Sequence, residues 1–75
     1  MKYKLTYRKR GELTDKQKAG VLQKLKLSLA KEKDKGVMSV WILTGPKGVN
    51  DSRVTKVLKK YKVSKEMSQA TIEEA

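Results

Sequence analysis

The residues best suited to chemistry lie in the stretch WILTGPKGVNDS, Trp41 to Ser52. Gly45, Pro46, Lys47 and Gly48 make a tight basic loop, and Asn50, Asp51 and Ser52 are all residue types that cap helices. A lysine beside a helix amino terminus suits one phosphate, because unpaired N–H groups and the helix dipole both favour an anion. Nucleotide binding by a P-loop demands more: G-x-x-x-x-G-K-[ST], with several amides and a lysine wrapped around the phosphates. Here the glycines are three apart and Val49 follows the second, so that chemistry is excluded.

The G-x-x-G spacing with a lysine resembles the loop with which KH domains clamp a nucleic-acid backbone. That loop joins two helices, whereas Gly45 follows a segment that reads as a strand. The simpler expectation is structural, with the glycines and Pro46 turning the chain and Asn50 to Ser52 starting a helix. Lys47 then contributes to a wider basic surface.

Other constellations are thin. The chain has no cysteine and no histidine, which removes thiolate sites, disulfides and the usual neutral-pH acid/base. Asp15, Asp34 and Asp51 are far apart in sequence, and Ser39 and Ser52 have no histidine to activate them. The expectation is a protein that is not an enzyme and uses neither cofactor nor metal.

Charge is the dominant feature. Nineteen Lys and Arg oppose eight Asp and Glu, for a net charge of +11 and a pI near 10.0. Residues 1–35 hold twelve basic and four acidic groups, residues 36–62 six and one, and residues 63–75 one and three. This exceeds the net charge of about 2 to 8 that solubility asks of a small domain. DNA or RNA is therefore the leading partner, gripped by the phosphate backbone with little base readout. The alternative is a protein-interaction module or small inhibitor, of the kind mobile elements and viruses encode, whose basic surface meets an acidic protein. No apolar run approaches the roughly 18 residues of a membrane span and the amino terminus lacks the apolar core of a signal peptide, so a cytoplasmic setting is the expected default.

These side chains need elements to position them. Residues 2–8 alternate strictly, Tyr3, Leu5 and Tyr7 against Lys2, Lys4, Thr6 and Arg8, the mark of a half-buried strand. Thr14, with Gln17 three residues later, predicts a capping box and a helix to about Lys33, with Val21, Leu22, Leu25 and Leu29 as its apolar stripe and Leu27 outside it. Gly36 would cap that helix. Residues 37–44 are apolar on both faces except Ser39 and read as a covered strand. Val54, Val57, Leu58 and Tyr61 predict a second helix to about Lys62. Residues 63–75 read as a weak helix or loose acidic tail.

The fold class expected is α/β (α+β): one basic β-α-β-α domain over residues 1–62, with a short two-stranded sheet per chain whose strands, joined by a helical crossover, are expected to be parallel neighbours. Its open edges and thin core favour a homodimer whose sheet extends to four strands. The candidate nucleic-acid contacts are Lys2, Lys4, Arg8, Lys9 and Arg10 on the first strand and its exit, Lys47 and Arg53 at the loop and second helix, and Trp41 as a stacking side chain if its row faces solvent.

Overall fold

The computed structural model describes all 75 residues. Its elements run β1 (Lys2–Lys9), α1 (Asp15–Leu25), β2 (Ser28–Lys35), β3 (Met38–Thr44), α2 (Asp51–Lys60) and β4 (Met67–Glu74). The strands form one sheet in the order β2-β3-β1-β4, with every neighbouring pair antiparallel. This α+β connectivity is the split β-α-β plan of ferredoxin-like domains. No helix is long and apolar enough to cross a membrane.

Two elements depart from the sequence expectation, and both turn a two-stranded sheet into a four-stranded one within a single chain. Helix α1 stops at Leu25 because Lys26 takes a left-handed conformation, φ 60°, with its N–H bonded back to the last turn. The residues beyond it form β2. Gly36, φ 71°, is therefore not a helix cap. It is the first central residue of the two-residue loop between Lys35 and Met38, where tight hairpins require glycine. Residues 67–74 are neither helix nor loose tail: β4 pairs with β1 from Glu74 to Met67. The two strands read from sequence, β1 and β3, are antiparallel neighbours rather than a parallel pair. Strand β2 runs parallel to β1 but lies one position away, with β3 between them.

Each edge strand carries a β-bulge. In β2 two steps take Leu29 to Lys31 where β3 needs only one, Leu43 to Ile42. In β4 three steps from Thr71 to Ser68 face two from Thr6 to Arg8, with Gln69 at φ 55°. Bulges and lysines on edges discourage pairing with a second sheet. The sheet thus has no need of a second copy to reach four strands.

Both helices pack on one face. Tyr3, Leu5, Tyr7, Trp41, Leu43, Met67 and Ile72 from the sheet meet Val21, Leu25, Val54, Val57 and Leu58 from the helices in one core that also includes Leu27, Val49 and Val63. Val37 and Met38 leave the expected core, 62% and 36% exposed, at the hairpin tip. Leu27, placed by helical spacing among lysines, is only 5% exposed on the segment entering β2 and offers no surface contact. The local signals that held are the caps. Thr14 and Gln17 make a reciprocal capping box, and the Asn50 side chain accepts from the Arg53 N–H at 3.0 Å. Val49 and Val54, at the two staple positions around that cap, are both buried.

Candidate nucleic-acid interface

The sheet face away from the helices is uncovered, and alternation decides what stands on it. On β1 these are Lys2, Lys4, Thr6 and Arg8, and opposite them on β3 lie Thr44, Ile42, Val40 and Met38. Register carries the face outward to Lys31 beside Ile42, Lys33 beside Val40 and Lys35 beside Met38 on β2. On β4, Glu73, Thr71 and Ser68 complete the rows through Lys4, Thr6 and Arg8. Six cations therefore flank a short apolar strip, with Glu73 as the one carboxylate. None of the six is held in an ion pair.

The acids of β2 are sent the other way. In KEKDK, residues 31–35, Glu32 and Asp34 point to the helix side, where the Lys18 ammonium donates to Glu32 at 2.9 Å and Lys9 to Asp34 at 3.0 Å. Period-two geometry has separated five alternating charges into a cationic row and an acidic row. The acidic row is neutralised locally, and the cationic row is left free.

The sequence-predicted residues divide accordingly. Lys2, Lys4 and Arg8 share the open face. Lys9 does not, because it lies on the opposite side of β1 and is engaged by Asp34 and Glu12, whose carboxylates hold its ammonium above the usual lysine value. Arg10 is exposed just past β1, where its backbone N–H donates to the Glu66 carbonyl at 3.1 Å. Arg53 stands on α2, on the helical side of the molecule, in a cleft against α1. Lys31, Lys33 and Lys35 were hidden by the expectation of a helix over those residues, yet their alternation with Glu32 and Asp34 was a visible strand signal.

Trp41 is corrected by burial. It is 0% exposed, on the core face of β3, with the Tyr7 ring edge-on at 5.5 Å and the Lys18 ammonium 5.8 Å from its centroid. The row beside the β1 cations is Met38, Val40 and Ile42, so no aromatic side chain stands there to stack a base.

The Gly45–Gly48 loop is a structural junction. Gly45 exchanges backbone hydrogen bonds with Met1, at 2.7 and 2.9 Å, and the Tyr3 hydroxyl donates to the Pro46 carbonyl at 2.6 Å. A Cβ on Gly45 would collide with Leu27 and lie 2.9 Å from the Lys26 carbonyl. Gly48 adopts φ 90°, which favours glycine. Lys47 is exposed in this loop, at the end of the sheet where Lys2 begins β1.

Comparison with known proteins finds no matching family model, no matching curated relative and no matching solved structure, which leaves the geometry to carry the functional argument.

Proposed function

We propose that the chain binds the phosphate backbone of nucleic acid on its open sheet face, with low sequence specificity. The carrying observation is the segregation of charge on β2: Lys31, Lys33 and Lys35 join Lys2, Lys4 and Arg8 on one uncovered surface, while Glu32 and Asp34 are paired on the other. Alternate residues along a strand are about 6.8 Å apart, so β2 offers a rail of three regularly spaced cations and β1 a second, interrupted at Thr6. Hydroxyls of Thr6, Thr44, Thr71 and Ser28 lie between and beside them as neutral donors to phosphate oxygens. Four-stranded sheets that read RNA stack bases on aromatic side chains. Met38 and the half-buried Ile42 instead offer aliphatic contact on either side of the buried Val40, suited to resting against sugars or bases without discriminating among them.

The test is a salt titration of binding to single-stranded and duplex DNA and RNA by anisotropy, with Trp41 emission recorded alongside. Six neutralised phosphates imply a log–log salt slope of about −4 on single strands and about −5 on duplex. Trp41, enclosed by the core, should keep its emission on binding. Affinity no tighter than millimolar at 50 mM salt for every nucleic acid would overturn the proposal. An acidic protein recovered from nuclease-treated extract, and lost with Lys4→Glu/Lys33→Glu, would then be the occupant of this face.

A further inference from the structure

The opposite side of the molecule carries a second group of cations, and its geometry differs from that of a merely solvated lysine surface. Gly20 lets α1 approach α2 closely: a Cβ there would lie 2.8 Å from Cε1 of Tyr61. Along this seam opens a cleft of about 540 Å³ lined by Gln23, Lys24, Lys26, Arg53 and Tyr61. Every lining side chain is a hydrogen-bond donor, and none is a carboxylate.

The acids that could neutralise the cleft are engaged elsewhere. Asp51, in the first turn of α2, accepts the Ile72 N–H at 2.7 Å and is thereby turned toward β4. Glu32, Asp34 and Glu12 pair with Lys18 and Lys9. Instead of a counter-ion, Lys24 has another lysine beside it. Lys60, one residue before Tyr61 on α2, neighbours Lys24, and that like charge holds the Lys60 ammonium below its usual value. Lys24, Lys26 and Arg53 thus line one cleft with no carboxylate among its walls, and Lys60 adds a further positive charge beside Lys24. Lysines at helix carboxyl ends are ordinarily explained by the dipole. That accounts for Lys24 and Lys60 singly. It does not account for Arg53, in the first turn of α2, where the dipole disfavours a cation.

We infer that the α1–α2 cleft is a second phosphate-binding site, separate from the sheet face, which takes an oligophosphate or a phosphodiester segment between Lys24, Lys26 and Arg53, with Lys60 beside Lys24 at its margin. A phosphate bridging Lys24 and Lys60 replaces like-charge repulsion with charge-assisted hydrogen bonds, and Arg53 can offer two parallel donors. The two sites lie on opposite faces of a molecule 20 Å across its shortest dimension. If the ligand is a nucleic-acid segment, a chain that binds another on its sheet joins the two; this bridging consequence rests on the proposed function, whereas the cleft itself does not.

The experiment is an NMR titration of the full-length ¹⁵N-labelled chain with pyrophosphate in one arm and with a ten-nucleotide single strand in the other. In the pyrophosphate arm, the Gln23 side-chain amide, Arg53 Nε–H and the backbone of Lys24 and Lys26 should move first. Lys24→Gln/Arg53→Gln should weaken that response by about tenfold or more. Both substitutions retain the side-chain stems on partly or fully exposed helical positions, and unchanged spectra elsewhere would establish that the fold persists. In the oligonucleotide arm, cleft shifts in addition to sheet shifts assign the site to a second phosphodiester segment. Cleft shifts with pyrophosphate alone assign it to a free oligophosphate. Cleft shifts without sheet shifts uphold the cleft and remove the sheet proposal. Pyrophosphate shifts spread evenly over all exposed lysines, or unaffected by the double substitution, would overturn the inference.

Discussion

Replacing Lys4 and Lys33 together by glutamine removes two of the six free cations from the sheet face without introducing an acid. The rows through these residues are adjacent, Lys4 beside Ile42 and Lys33 beside Val40, so both substitutions act at the centre of the surface. Six phosphate contacts on a single strand give a slope of about −4, and four give about −3. Between 50 and 200 mM salt the parent should lose about 300-fold in affinity and the variant about 50-fold. The control is Lys16→Gln/Lys65→Gln, which makes the same change in net charge at exposed residues, one in the first turn of α1 and one between α2 and β4. If net charge alone drives association, both variants will shift the curve equally. If the face is the site, only Lys4→Gln/Lys33→Gln will flatten the slope, and anisotropy at four or five salt concentrations separates the two results. Equal slopes for the two variants would refute the argument from charge segregation, whatever their absolute affinities.

Other outcomes test the fold beneath that face. Trp41→Ala should destabilise the chain by about 3 to 5 kcal/mol in urea unfolding, since it removes a fully enclosed ring, whereas Met38→Ala on the open strip should stay within about 1 kcal/mol. Gly45→Ala should cost about 1 to 3 kcal/mol, because the new methyl meets the Lys26 carbonyl, and the affinity of the molecules that remain folded should be unchanged. Gln69→Gly should instead raise stability by about 0.5 to 1 kcal/mol, read as a higher urea midpoint, by relieving a left-handed residue at the β4 bulge.

Strand β1, strand β3, both helix starts and the course of α2 were legible because each rests on local rules: strict alternation, a dense β-branched and aromatic run, and capping side chains. Strand β4 was not, and the cause is its bulge. Met67 and Ile72 stand an odd number of residues apart, so they cannot share a face in a regular strand. The extra residue near Gln69 shifts the parity and brings both into the core. A sequence pattern with a period break in its middle resembles neither a strand nor a helix. Strand pairing with β1, sixty residues earlier, supplies what local pattern lacks.

Strand β2 is more instructive, because the signal was present and pointed two ways. Val21, Leu22, Leu25 and Leu29 fit a helix, but Leu25, Leu27 and Leu29 also alternate, and Leu27 is the residue that fits only the second pattern. A helix through Lys33 would leave Leu27 among lysines; ending it at Lys26 buries Leu27 and frees the following residues to form an edge strand. That choice also sets the electrostatics. On a helix, Lys31, Glu32, Lys33, Asp34 and Lys35 would be distributed around the axis, with charges of both signs mixed. On a strand entered through a bulge, the same five residues sort by sign, and their acids reach Lys18 and Lys9 across the core side. The lysines that remain align with Lys2, Lys4 and Arg8 only because β3 lies between β2 and β1 and keeps all three strands in register. The proposed binding face is therefore a property of topology. The net charge predicts a polyanion partner, but it is the burial of one leucine that determines where the proposed face lies.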